Sequence, residues 1–192
     1  MGSDKAKLEF GGRSLLAVLA SRLGDLFDAV RVVGGSEEVR AEDAGLSASA
    51  FRWIPDRWPG GGPLGGLCSG LAAVETQEAF AAACDMPLLD PDVVRALRPG
   101  GGWRADVRVL VAGGRSHPLH AFYRVACLPR LERAFVGGVR SLHEALAGLA
   151  VEDVELSGAL AARAERSAWN VNTPDDVERV RRFLTEAGTG EA

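Results

Sequence analysis

The sequence predicts an α/β fold in which a mostly parallel sheet is covered by helices. Short apolar or β-branched runs, such as 29–33 and 79–84, alternate with stretches whose apolar residues recur at helical spacing, such as 15–27. The chain also has 24 glycines, and many of them cluster between these runs. Because sheets of this kind bind ligands beyond the carboxyl ends of their strands, we expect chemistry-bearing residues directly after strands.

The first half of the chain alternates regularly. We expect a helix over 15–27, strands over 29–33 and 51–55, a helix over 63–76 and a strand over 79–84. The next helix begins at the sequence DPDVVRAL, where Asp90 is the predicted cap and Pro91 takes the first helical position.

The second half predicts a strand pair followed by helices. The strands cover 105–112 and 117–123, and Gly113 and Gly114 separate them. Helices over 127–136 and 141–149, a strand over 150–156 and a last helix after the cap Thr173 complete the pattern. We expect one domain spanning 1–192, with 187–192 as a frayed tail.

Composition excludes several classes of protein. A net charge of −4 is unlike the basic face of a nucleic-acid-binding protein. No apolar run is long enough to span a membrane. Cys68, Cys84 and Cys127 are far apart, which argues against a zinc site or a disulfide framework. We therefore expect a cytoplasmic protein whose thiols are reduced and mostly buried.

Two aspartates follow predicted strands. Asp85 stands where a carboxylate can hold Mg²⁺ together with substrate phosphates, although aspartate is equally typical of turns and caps. Asp56 ends its own strand and precedes a glycine-rich loop. After Asp56 come five glycines, which either bring backbone N–H groups close to a phosphate or form a flexible surface loop: Gly60, Gly61, Gly62, Gly65 and Gly66.

Five polar residues are further candidates. Lys5 can neutralise a polyphosphate, or it is a solvated surface lysine. His117 and Arg140 lie in loops next to periodic segments, where solvated or capping residues are common. Asn170 and Asn172 alternate about Val171, so both amides can read the donors and acceptors of a heterocycle, or they are turn residues before a helix.

Six stretches in order resemble the molybdenum cofactor guanylyltransferase family. They are SDKAKLEFGGRSLL, PDRWPGGGPLGGLCSGL, CDMPLL, HPLHAFY, VRSLHEAL and NVNTPDD, and the resemblance runs from Met1 to about Phe183. It implies a three-layer, Rossmann-like nucleotidyltransferase fold. It further implies transfer of GMP from GTP to molybdopterin, or to its molybdenum-bearing form, with release of pyrophosphate.

The resemblance also implies roles for particular residues. Lys5 and Asp85 would be catalytic, with Lys5 on a GTP phosphate and Asp85 on Mg²⁺ and GTP. Asp56 and Gly65 would lie in the GTP site. The residues nearer the pterin would be His117, Arg140, Asn170 and Asn172.

Two other functions stay open beside this one. A related cytidylyltransferase would act on the same pterin, and a non-catalytic module would only bind it. Molybdoenzymes or proteins of cofactor biosynthesis are the protein partners that the resemblance implies.

The chain departs from the family pattern at two places. The family begins with a strand and a glycine-rich loop of the form Leu-Ala-Gly-Gly-x-Ser-x-Arg-Met-Gly, whereas this sequence starts at Met1-Gly2. We expect that the start was assigned to an internal methionine; if the loop is truly missing, we expect weak or no GTP binding. After strand 29–33 stand Gly34, Gly35 and Ser36, where the family often has an asparagine in the nucleotide site.

Overall fold

Strands and helices alternate along most of the chain, as the sequence predicts. The computed structural model describes residues 9–10, 13–35 and 51–188. The strands are β1 (Glu9–Phe10), β2 (Arg13–Ser14), β3 (Val30–Val33), β4 (Phe51–Ile54), β5 (Glu78–Ala82), β6 (Val107–Ala112), β7 (Arg115–Arg124) and β8 (Val151–Glu155). The helices are α1 (Leu15–Gly24), α2 (Gly62–Ala72), α3 (Pro91–Leu97), α4 (Leu128–Val136), α5 (Leu142–Leu146), α6 (Ala161–Ser167) and α7 (Pro174–Gly188).

Four strands form the larger sheet, in the order β5-β7-β6-β8. β6 and β8 are parallel, but β7 runs antiparallel to both β5 and β6. The sheet is therefore more mixed than the predicted mostly parallel one. The reason is the turn at Gly113 and Gly114, whose φ values of 57° and 69° return the chain directly beside β6.

A second, smaller sheet is the parallel pair β3 and β4. Val30 is opposite Phe51 and Val33 is opposite Ile54, and the N–H of Gly34 extends the ladder to the Ile54 carbonyl at 3.0 Å. Among the described residues, no ladder joins this pair to the four-stranded sheet. β1 and β2 form a separate two-residue antiparallel ladder.

Apolar clusters cover both faces of the four-stranded sheet. On one face α2, α4 and α5 pack around residues such as Leu64, Leu131 and Tyr123. On the other, α1, α3 and α6 pack around Leu110 and Phe122. Tyr123 and Phe122 are neighbours in β7 and point to opposite clusters, as alternation in a strand requires. This confirms the layered α/β architecture.

Helix boundaries follow capping more closely than apolar spacing. The predicted caps are confirmed, since Asp90 accepts the Asp92 N–H at 2.9 Å and Thr173 accepts the Asp176 N–H at 3.2 Å. α1 ends at Gly24, before the predicted limit, and Phe27 leaves the helix to stack on Phe80 at 5.8 Å.

One helix was not predicted. α6 has the sequence AARAERS, in which only Ala164 and Ser167 are buried. With only two small buried residues, the segment lacks the apolar residues at helical spacing from which a helix could be predicted. No described helix is both long enough and apolar enough to cross a membrane.

Candidate functional site

Asp85 lies in the loop that leaves β5, as predicted. The backbone holds this loop at the sheet edge, because the Ala83 N–H donates to the Leu119 carbonyl at 3.2 Å. The Asp85 carbonyl accepts the Val171 N–H at 2.8 Å, and the Oδ1 atom of its carboxylate is buried. A carboxylate is therefore presented just after β5 and beside the segment that precedes α7.

The segment before α7 places two amides on one side. Val171 is fully buried, whereas Asn170 and Asn172 on either side of it are exposed. The N–H of Asn172 donates to Asp176 Oδ2 at 3.0 Å, and this bond, with those from Thr173, lowers the pKa of the Asp176 carboxyl. The alternation predicted from sequence is present, and the Val171 N–H bond holds the backbone of this segment next to Asp85.

Asp56 follows β4 and ties the glycine-rich loop to α2. Its Oδ1 accepts the Trp58 N–H at 3.0 Å and lies 3.0 Å from the Ser69 hydroxyl. The same hydroxyl lies 2.9 Å from the Gly65 carbonyl and accepts the Arg57 N–H at 3.0 Å. The buried Ser69 is thus a residue that sequence reasoning missed, since it stands alone on an otherwise apolar helix face.

The glycines of this loop serve two different purposes. Gly60 and Gly62 have φ values of 78° and 66° and open space around them, so they allow a sharp turn before α2. Gly61 is required by packing, because an added Cβ would lie 2.8 Å from the Phe135 ring and 2.8 Å from the Trp58 carbonyl oxygen. Gly65 is buried against the same two aromatic residues, with Cβ distances of 3.5 Å.

Arg140 lies on the side of the glycine-rich loop. Its guanidinium donates to the carbonyls of Phe135 and Val139 at 2.7 and 2.9 Å, and it stacks 4.3 Å above the Phe135 ring. Phe135 packs in turn on Trp58, with ring centres 5.2 Å apart. Arg140 therefore closes the end of α4 and reaches the loop through two aromatic rings.

The remaining candidates are His117, Lys5 and the residues that follow β3. His117 lies inside strand β7, opposite Leu110, and not in the predicted loop; its Nε2 is 3.2 Å from the Ala112 carbonyl oxygen. Lys5 and Ser36 are outside the described residues. Gly35 is described, and a Cβ there would lie 2.8 Å from the Trp53 ring, so packing accounts for this glycine.

Sequence reasoning also missed the pair His120 and Ser167. His120 is opposite Ala82 in the ladder and fully buried, and its Nε2 lies 2.7 Å from the Ser167 hydroxyl. That hydroxyl accepts the Asp90 N–H at 2.9 Å. Burial lowers the pKa of His120 to about 4, so the ring is neutral at pH 7. The pair holds the far end of the loop that carries Asp85.

The thiols behave as expected in two cases of three. Cys68 and Cys127 are buried, and burial raises the pKa of each to about 11. Cys84, next to Asp85, is exposed. None is in a disulfide within the described part of the chain.

The available carboxylates suit a metal ion that takes some of its ligands from the protein and the others from a substrate. In the ranges that the structure describes, no three His, Cys, Asp or Glu side chains are grouped to hold a metal. Mg²⁺ typically takes one or two carboxylates and completes its shell with phosphates and water. A single carboxylate such as Asp85, at the sheet edge, fits that requirement.

Comparison with known proteins identifies the chain's relatives. Residues 1–152 match the MobA-like NTP transferase domain. A protein of Pelotomaculum thermopropionicum named a probable molybdenum cofactor guanylyltransferase is 31% identical over 99% of this chain and 90% of its own. A protein of Chloroflexus aggregans with the same name is 37% identical over 69% of this chain and 65% of its own.

Solved structures agree. Molybdopterin-guanine dinucleotide biosynthesis protein A of Archaeoglobus fulgidus superposes with a TM-score of 0.77 at 25% identity, over 96% of this chain and 92% of the other. A 2-C-methyl-D-erythritol 4-phosphate cytidylyltransferase of Thermus thermophilus has a TM-score of 0.63 at 16% identity, over 94% of this chain and 93% of the other, which supports the fold alone. This chain belongs to the family of MobA-like NTP transferase domains.

Proposed function

We propose that this nucleotidyltransferase transfers GMP from GTP to molybdopterin or its molybdenum-bearing form. The product would be a guanine dinucleotide cofactor, with pyrophosphate released. The observation that carries the proposal is the hydrogen bond of 2.8 Å between the Asp85 carbonyl and the Val171 N–H. It joins a carboxylate suited to Mg²⁺ to a pair of amides suited to a heterocycle, and the names of the relatives supply the substrates.

The reaction is a single displacement at phosphorus. A phosphate oxygen of the pterin forms a bond to the α-phosphorus of GTP, and the bond from that phosphorus to the bridging oxygen of pyrophosphate breaks. No covalent enzyme intermediate is needed, so the protein acts mainly by positioning and by offsetting charge. Mg²⁺, when bound, would supply positive charge to the phosphate oxygens.

The residues of this chain divide these tasks. Asp85 would hold the metal, and its fixed backbone keeps the carboxylate at the sheet edge. Asp56 and Ser69 hold the glycine-rich loop in shape, with Gly65 as part of the GTP site. Lys5, outside the described residues, would neutralise the departing pyrophosphate.

The pterin would lie toward the other polar candidates. Asn170 and Asn172 are exposed next to Asp85, so their amides can donate to and accept from a pterin ring. Arg140 and His117 would extend this side of the site. A place in the cytoplasm and contacts with molybdoenzymes or cofactor-biosynthesis proteins belong to the same proposal.

The test is pyrophosphate release from GTP and molybdopterin by Asp85→Asn. We expect a loss of about a hundredfold or more, the size seen when a preorganised electrostatic group is removed from a reaction centre. Asp153→Asn is the matched control, because Asp153 is an exposed aspartate on β8 and away from the site. Equal rates in the two variants would refute the assignment of Asp85.

A further inference from the structure

A cleft of about 380 Å³ lies between α1, α6, α7 and the start of α3. Three arginines and one aspartate line it, namely Arg22, Arg163, Arg166 and Asp90, and Leu88 and Phe183 contribute apolar walls. None of the described residues assigned above to the nucleotide, the metal or the pterin is among those that line it. The cleft is therefore a separate feature of the molecule.

One arginine in the cleft is already neutralised. Arg163 donates from Nε and Nη2 to the two carboxylate oxygens of Asp90, both at 2.7 Å, and from Nη2 to Asp92 at 2.7 Å. Asp90 also supplies the only carboxylate among the residues known to line the cleft in the described part of the chain. Both oxygens of the Asp90 carboxylate are bonded to Arg163. The guanidinium groups of the other two arginines are therefore left without a direct carboxylate partner among the described residues of the cleft.

Neither Arg166 nor Arg22 forms an ion pair with another described residue, although the Asp90 carboxylate attracts the Arg22 guanidinium from a longer distance. Within residues 13–35 and 51–188, the Arg166 guanidinium lies 5.2 Å from the centre of the Phe183 ring and makes neither a hydrogen bond nor an ion pair. Arg22 donates from Nη1 to the Leu89 carbonyl at 2.9 Å, and burial lowers the pKa of its guanidinium. A half-buried cation is costly unless an anion approaches it, and both groups border the same cavity.

We propose that this cleft binds a phosphate-type oxyanion, either free or as the terminal phosphate of a small molecule. The planar fork of a guanidinium matches the oxygens of a phosphate, and two such forks are available here. The volume lies near the lower end of the range of ligand pockets, about 300–1,000 Å³. The apolar walls at Leu88 and Phe183 would reduce water access and strengthen the charge interaction.

A bound anion would also affect the Asp85 loop. Leu88 and Asp90 line the cleft, and both follow Asp85 in the same loop. Ligand binding to a folded state stabilises the segments that make the site. The proposal goes beyond the transferase reaction and does not depend on it, since the two sites share no assigned residue.

Titration calorimetry on the full chain tests the proposal, with inorganic pyrophosphate as the probe and EDTA present to silence metal-dependent binding. We expect saturable binding that Arg166→Gln and Arg22→Gln each weaken about tenfold or more, the size of a lost charge-assisted hydrogen bond. Arg104→Gln is the control, because Arg104 is exposed and lines no part of the cleft; it should stay within about twofold. Inorganic phosphate as a second probe shows whether one phosphoryl group is enough.

Three outcomes overturn the proposal. One is no saturable binding up to about 10 mM, which lies beyond the weak end of specific affinities. Another is equal weakening in Arg104→Gln, which means general charge attraction. The last is unchanged binding in Arg166→Gln. This variant decides the question if Arg22→Gln misfolds, because the Arg166 guanidinium makes no hydrogen bond to the described residues.

Discussion

The four-stranded sheet and the β3–β4 pair differ in how well the core supports them, and each carries one half of the candidate site. The four-stranded sheet has three ladders and apolar clusters on both faces. The β3–β4 pair has one ladder of four residue pairs, and Val30 is its one buried residue. Asp85 follows β5 of the four-stranded sheet and is bonded to the segment of the two asparagines, whereas Asp56 and the glycine-rich loop follow β4 of the pair.

This difference indicates where stability lies. A parallel pair of short strands is marginal without neighbours, so the β3–β4 region depends on α2, which packs Leu64, Leu67 and Leu71 into the larger core. Regions with few buried apolar contacts open at lower free energy than the global transition. We expect the glycine-rich loop after Asp56 to be the more mobile half of the site and the loop that carries Asp85 to be the rigid half.

The largest expected effect comes from the core of the larger sheet. Leu110→Ala should lower the free energy of unfolding by about 2–5 kcal/mol, because Leu110 is fully buried and its loss leaves a cavity. Val32→Ala, at a half-buried position of β3, should cost about 1 kcal/mol or less. Urea denaturation of both variants measures the contrast. Equal losses would show that the two sheets are equally supported.

Acid should weaken the larger sheet through His120. Burial lowers the pKa of His120 to about 4 in the folded protein, below the 6.5 of an unperturbed histidine. The neutral ring therefore contributes stability that is fully present above pH 6.5 and is lost as the pH falls toward 4. The loss can reach about 3 kcal/mol in that window. Stability curves of wild type and His120→Gln should converge on acidification, whereas those of wild type and the exposed-histidine variant His143→Gln should stay parallel. A His120→Gln curve parallel to wild type would show that this histidine is not the acid-sensitive group.

Removal of the Ser167 hydroxyl should loosen the Asp85 loop. Ser167→Ala leaves the buried His120 Nε2 and the Asp90 N–H without this partner, which should cost about 1–3 kcal/mol. Ser157→Ala is the control, because Ser157 is exposed and its side chain makes no capping bond. Thermal unfolding compares the two, and a Ser167→Ala variant as stable as the control would remove this anchor from the account.

The smallest effects separate two glycines of one loop. Gly61→Ala should cost about 1–3 kcal/mol, because its Cβ would meet Phe135 and the Trp58 carbonyl. Gly66→Ala, with no atom within 4 Å and a place inside α2, should instead stabilise by about 0.5–1 kcal/mol. Chemical denaturation measures the change in the free energy of unfolding for both variants. If Gly66→Ala is destabilised, glycine is needed there for its backbone conformation, although the space around it is open.

Much of the larger sheet could be predicted from sequence because its signals are local. An apolar run followed by Asp85, a cap at Asp90 and a Thr-Pro start at Thr173 each need only a few neighbouring residues. The pairing of β7 with β6 could also be predicted, because only Gly113 and Gly114 separate the two strands, whereas the antiparallel pairing of β7 with β5 has no local signal.

The contacts that complete the site are of another kind. Ser69 reaches Asp56 only after α2 has packed, and Ser167 meets His120 across 47 residues of chain. Arg22 comes from α1 and Arg166 from α6, and the two line one cleft only in the folded chain. Such long-range pairs leave no local pattern in a single sequence, so they could not be predicted from it.

The identity of the nucleotide transferred tests the central claim most directly. The chain would be incubated with molybdopterin and Mg²⁺, and with either GTP or CTP at the same concentration. The mass of each product would then be recorded. The account predicts a guanine dinucleotide and pyrophosphate, with little product from CTP. A cytosine dinucleotide as the main product would contradict it and favour a cytidylyltransferase. Bound pterin with neither product would favour the non-catalytic binding module.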